Sequence, residues 1–147
     1  MTDRVAHAIW EGPLTSGKGD LEFASSGIGR YPLAWSSRVE SPDGRTSPEE
    51  LLAAAHAACY AMAFSHALAQ AGTPAERLHV SSTVTVLPKQ GGGLQITRSA
   101  LEVEGVVPGL DAEAFRKTAE AAEQSCPVSN VIRNNAEITL NANLKSG

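Results

Sequence analysis

Four side chains capable of chemistry fall on one stripe of the stretch TSPEELLAAAHAACYAMAF, residues 46–64, and its continuation. At spacings of three and four residues that stripe reads Glu49, Leu52, His56, Cys59, Ala63, His66. A carboxylate, two histidines and a thiol on an otherwise apolar seam are an unusual way to build a core. A second thiol, Cys126, stands directly before Pro127. The two cysteines can be buried thiols, metal ligands or redox centres. His56 and Cys59 form an HxxC pair, to which Cys126 and His66 could add ligands. Structural zinc sites usually show two well-spaced pairs, so no metal is expected. Taken alone, Cys59 reads equally well as a small hydrophobe in an alanine-rich helix. His56 reads as a hydrogen-bonded interface residue without a catalytic role.

These residues need a helix to place them. Ser47 can cap it, Pro48 suits its first position, and Glu50 has the capping-box spacing from Ser47. Glu49 is then left without a local task. The helix runs to about Ala71, where Gly72 and Pro74 stop it. Before it lie three short strands: Arg4 to Trp10, one around Leu21 and Phe23, and one in which Leu33, Trp35, Ser37 and Val39 share a face. After it, Leu78 to Val86 alternates clearly and is rich in β-branched residues. The returning strand carries Leu94, Ile96, Leu101 and Val103, with a phase slip near Ser99 that suggests a bulge. Asp111 opens a second helix with the stripe Phe115, Ala119, Ala122, Cys126, and Pro127 starts a short further helix to about Arg133. Ile138 to Leu144 gives a last half-buried strand. Short turns between strands predict largely antiparallel pairing in an α+β fold.

At 147 residues, with no linker or repeat, the chain reads as a single domain, 1–147. A domain of this size folds without staples. Net charge is -4 with no basic run, which argues against nucleic acid and anionic membrane as partners. No signal peptide is visible at the N-terminus, and the apolar run Leu51 to Phe64 reads as too short for a bilayer. The expectation is a cytoplasmic protein, where a permanent structural disulfide is uncommon.

PEELLAAAHAAC resembles the signature helix of the OsmC/Ohr family, the osmotically inducible protein C and organic hydroperoxide resistance proteins. SCPVSNVI, residues 125–132, is similar to the family's second-cysteine motif. The resemblance spans the chain and implies an α+β OsmC-like fold, with antiparallel sheets around two long central helices in an intertwined homodimer. HAAC, in place of a tyrosine-containing variant, favours the OsmC branch.

What the resemblance implies is thiol-dependent reduction of organic hydroperoxides, and less well of hydrogen peroxide, in oxidative and osmotic stress defence. Cys59 would become a sulfenic acid and then a disulfide with Cys126 inside one subunit. No cofactor and no metal are implied; the reductant would be a dithiol such as a reduced lipoyl group. Such a thiol must ionise, and free cysteine titrates near ~8.5, so a cation is needed. Of the eight arginines, Arg38 in WSSRVE resembles the OsmC-branch position, with Glu49 to orient it. Arg30 is the alternative. The Ohr-branch arginine segment has no counterpart, since SGKGDLEF offers only Lys18. A thiol-based redox sensor, or a binding protein for a small apolar ligand, would use the same residues without turnover.

Glu49 and Cys59 are ten residues apart, about 15 Å along a helix at ~1.5 Å per residue. An arginine shared between them within one helix is therefore implausible. A second, antiparallel copy of the helix crossing near Ala54 would bring Glu49 of one chain level with Cys59 of the other. The alanines at 53, 54, 55, 57 and 58 permit the close approach. The expectation is an obligate homodimer with shared sites.

Overall fold

In the computed structural model, which describes residues 1–146, backbone proximity groups the chain into two compact units, Met1–Leu51 and Leu52–Gly147.

The first unit holds a three-stranded antiparallel meander of β1 (His7–Glu11), β2 (Lys18–Glu22) and β3 (Arg30–Leu33). The third predicted strand stops at Leu33. Trp35–Val39 instead forms one turn of helix, α1. The Ser37 hydroxyl donates to the Ala34 carbonyl at 2.8 Å, a local bond that supports the helical turn. Burial also breaks the expected alternation, for Ser37 is buried and Val39 exposed. Five alternating residues fit one helical turn as readily as a strand.

Helix α2 (Pro48–Gln70) starts in this unit and continues through the second. Its start is as expected: Ser47 Oγ accepts the Glu50 N–H at 3.2 Å. The return half of the capping box is replaced, because Glu50 Oε2 accepts the Thr46 hydroxyl at 2.7 Å. Its end is a Schellman motif, with Thr73 N–H on the Leu68 carbonyl, Gly72 N–H on the Ala69 carbonyl, and Gly72 at φ 79°. At 23 residues, with an 18-residue stretch of mean hydropathy 1.4, α2 is by length and composition long and apolar enough to cross a membrane. The shorter run read from sequence understated it, because helix geometry extends past Phe64 through Gln70.

The second unit holds β4 (Arg77–Pro88), β5 (Leu94–Val106), α3 (Ala112–Ser125), α4 (Pro127–Ile132) and β6 (Glu137–Leu144). The sheet order is β4-β5-β6. β4 and β5 form an antiparallel hairpin, but β5 and β6 are parallel. The expectation of antiparallel pairing fails there because β6 is reached through α3 and α4, a crossover long enough to return the chain in the same direction. The bulge is present two residues before Ser99: Thr85 pairs with Arg98 and Val86 with Ile96, leaving Thr97 extra.

The core of this unit lies between α2, α3 and the sheet. From α2 come His56, Tyr60, Phe64 and Leu68, all fully buried and four residues apart. This face shares His56 with the predicted stripe, whose Cys59 and Ala63 are half-buried against the core and whose His66 is exposed. Alanine on every side gives the helix no apolar face that periodicity can single out. The predicted α3 stripe is as expected, with Phe115, Ala119, Ala122 and Cys126 buried. Phe115 meets Phe64 edge-on at 5.0 Å. Gly105 on β5 admits the Phe115 ring, since a Cβ there would lie 2.5 Å from it.

Candidate active site

Two groups of the predicted residues come together, one in each unit. In the first, the turn of α1 presents Arg38 to Glu49, the second residue of α2. Arg38 Nε and Nη2 both donate to Glu49 Oε1, at 2.9 and 2.7 Å. The Glu49 side chain is 9% exposed and that of Arg38 31%. Glu49 Oε2 is buried with no hydrogen-bond partner among the described residues. The Arg38 guanidinium also sits 5.9 Å from the Trp35 ring centroid. Arg30, the alternative cation, pairs with Glu22 at 3.1 Å where both side chains are well exposed. Lys18 lies on β2 opposite Glu11.

In the second unit Cys59 and Cys126 are both free thiols, half-buried and fully buried. The Cys126 thiol disfavours ionisation of Cys59, and Cys59 packs against the buried cluster that contains Cys126. Burial pushes the Cys59 thiol above its ordinary range, the Val128 N–H draws it back, and the Cys126 thiol pushes it up again. Val128 and Cys126 both belong to the second unit. Cys126 is the N-cap of α4, and its sulfur accepts the Ser129 N–H at 3.5 Å. Pro127 occupies the first turn, where its missing N–H costs nothing.

His56 is fully buried, with Nδ1 2.7 Å from Ser99 Oγ and Nε2 2.8 Å from Ser129 Oγ. Both ring nitrogens are thus engaged by hydroxyls of its own chain, although an interface contact was expected. Burial lowers its pKa below the ordinary histidine value, against an opposing pull from Glu123. Glu123 is held by Arg133 at 2.6 Å. Among the described residues no three His, Cys, Asp or Glu side chains group as metal ligands. His66, the other candidate ligand, is exposed.

Ser99, Ser129 and the Val128 N–H went unpredicted. The spacing Cys126-x-x-Ser129 across a proline was a usable signal for a short capped helix. Ser99 carried none, because its pairing with His56 spans 43 positions of chain.

The chemistry available is that of a close thiol pair. One cysteine is the more accessible, and the sulfur of the other accepts an N–H of the short helix that it caps. Separately, an arginine–carboxylate pair has its carboxylate nearly buried.

The family profile described as OsmC-like protein matches residues 41–141. The chain is 42% identical over 143 residues to the peroxiredoxin OsmC of Escherichia coli (strain K12), covering 97% of each chain. It is 33% identical over 100 residues to the organic hydroperoxide resistance protein of Xanthomonas axonopodis pv. citri (strain 306), covering 65% of each. Its fold matches the crystal structure of the organic hydroperoxide resistance protein OhrB of Bacillus subtilis with a TM-score of 0.73 at 24% identity, over 96% of this chain and 98% of that one.

Proposed function

The chain belongs to the OsmC-like protein family, and on that footing we propose that it is a cysteine-based peroxidase that reduces organic hydroperoxides at Cys59. The observation that carries this reading is the Cys59–Cys126 thiol pair, two free thiols at one core cluster with Cys59 the more accessible. The Cys59 thiolate attacks the outer oxygen of ROOH. The O–O bond breaks, RO⁻ takes a proton and leaves as the alcohol, and Cys59 becomes a sulfenic acid. The Cys126 sulfur then attacks Cys59, the S–S bond forms, and the hydroxyl leaves as water. A dithiol, such as a reduced lipoyl group, returns two electrons and two protons. The sensor and ligand-binding alternatives do not turn over with such a reductant.

The thiolate needs a cation, because within its own unit burial of Cys59 outweighs the Val128 N–H and favours the neutral thiol. Arg38, oriented by Glu49, supplies it. The ~15 Å spacing along α2 supports reading that pair as the contribution of a second copy of the chain, in a homodimer with two shared sites. Two features support this. Only 22% of the apolar window of α2 is buried in the single chain, a large apolar surface that a partner would cover. The small alanines on its open faces, Ala54, Ala55 and Ala58, permit close approach of a second helix. The family match crosses the junction between the two units, which supports reading residues 1–147 as one domain. The enzyme works in the cytoplasm in defence against oxidative and osmotic stress.

The test is mass analysis of reduced protein after one equivalent of an alkyl hydroperoxide. An intramolecular Cys59–Cys126 bridge is expected. Cys126→Ser should accumulate sulfenic and higher acids on Cys59, and Cys59→Ser should lose turnover. Full turnover in Cys59→Ser would remove the assignment.

A further inference from the structure

A buried polar chain runs through the core of the second unit beside the thiols. Ser82 Oγ on β4 lies 3.1 Å from Ser99 Oγ on β5, Ser99 reaches His56 on α2, and His56 reaches Ser129 on α4. His56, Ser99 and Ser129 are each 0% exposed. The other fully buried positions on this face of α2 are Tyr60, Phe64 and Leu68. An apolar side chain would fill such a place without needing two hydroxyl partners, so the polar chain points to a requirement for fixed geometry. In neutral imidazole one nitrogen donates and the other accepts, and serine hydroxyls can complete either arrangement.

Ser129 is the informative end. It is the third residue of α4, and its own N–H donates to Cys126 Sγ. The N–H before it, from Val128, favours the Cys59 thiolate. The side chain of Ser129 is therefore clamped by His56 while its own backbone N–H holds the Cys126 sulfur. Helix α4 has only six residues and follows a break at Cys126. Its far end is tied by Arg133 to Glu123, and its near end by His56 to Ser129.

We propose that His56 is a positioning residue for the thiol pair: through Ser129 Oγ it holds the first turn of α4 so that Cys126 stays oriented to close on Cys59. The proposal draws its use from the peroxidase reading, but thiol closure can be measured without peroxide. Diamide, an azo oxidant, takes two electrons and two protons from the pair and becomes a hydrazine as the S–S bond forms. Closure in reduced protein is followed by quenching with an alkylating agent and weighing the products.

Ser129→Ala deletes one hydroxyl and leaves the N–H groups of α4 in place. It should slow closure about tenfold, the size of one buried hydrogen bond. His56→Asn can mimic only the Nδ1 side of the ring and should slow closure alike. His56→Gln places its amide near Nε2 and should close within a few-fold of the original rate. The double variant His56→Asn/Ser129→Ala should close no more slowly than the slower single one. A general packing role would not separate Asn from Gln in this way. Closure within twofold of the original in Ser129→Ala, or fully additive losses in the double variant, overturns the proposal. If the His56 variants fail to fold, Ser129→Ala alone decides it. Hydroperoxide turnover of the unaltered protein is measured alongside. Slowed closure in Ser129→Ala with no turnover in the unaltered protein removes the peroxidase reading and keeps the positioning role. Normal turnover with unaltered closure does the reverse.

Discussion

Arg38 donates twice to a single oxygen of Glu49, through Nε at 2.9 Å and Nη2 at 2.7 Å. This is not the side-by-side pairing in which each carboxylate oxygen takes one donor. It leaves Glu49 Oε2 buried without a partner among the described residues and keeps Nη1 outside the pair. The pair is ordered, yet each partner retains an atom for something else. In the shared-site reading that something is the Cys59 sulfur of a second chain for Arg38.

Arg38→Ala should raise the pH at which Cys59 is half-alkylated by about one unit, which is ~1.4 kcal/mol of thiolate stabilisation. It should also leave a nearly buried carboxylate unpaired and lower stability by about 1–3 kcal/mol. Arg38→Lys should recover part of both, because an ammonium lacks the planar fork. Alkylation rates across pH, with denaturant midpoints, check this. An unchanged alkylation profile moves the cation to Arg30 or elsewhere.

Mixing inactive Cys59→Ser chains with inactive Glu49→Ala chains under exchange conditions should restore activity. If each site draws Cys59 from one chain and Glu49 from the other, the mixed dimer has one site with both lesions and one intact. Random pairing of equal chains then gives up to about a quarter of the original activity. No recovery despite verified exchange would sink the shared site.

Protein stability should fall as pH drops below the ordinary histidine value of 6.5. His56 has a depressed pKa in the folded chain, so the unfolded chain takes up its proton first. The contribution is therefore present above 6.5 and lost as pH falls through the folded value. The negative charge of Glu123, itself bonded to Arg133, opposes this and narrows the window. Denaturant midpoints measured from pH 8 to pH 5 should decline, and His56→Gln should flatten the histidine part of that decline. An identical slope in the variant would assign the loss to carboxylates.

Gly105→Ala should destabilise the chain by about 1–3 kcal/mol, as overpacking does. Its new Cβ would meet the Phe115 ring at 2.5 Å and a Leu78 methyl at 3.0 Å, and Phe115 is itself packed on Phe64. Phe115→Leu in the same background should relieve part of the strain. Thermal melts of the single and double variants check the coupling.

Much of the machinery was legible in the residues alone. Pro48, Ser47 and Glu50 mark where α2 begins, and their local task leaves over Glu49, whose carboxylate pairs with Arg38. Asp111, Pro127 and the 4-3-4 stripe of α3 place Cys126 at a helix break facing the core. Those signals are local: a cap, a proline and a period each act within a few residues. Three features were settled only by packing. Trp35–Val39 is helical because a single turn is stabilised by the Ser37 bond to Ala34, and five residues carry too little periodicity to show it. β6 runs parallel to β5 because two intervening helices turn the chain around before it joins the sheet. The buried face of α2 is Tyr60, Phe64 and Leu68 with His56, chosen by where β5, α3 and α4 lie, since alanines offer no preference of their own. His56 joins that face only because Ser99 and Ser129, 43 and 73 positions away in sequence, bring hydroxyls to its two nitrogens.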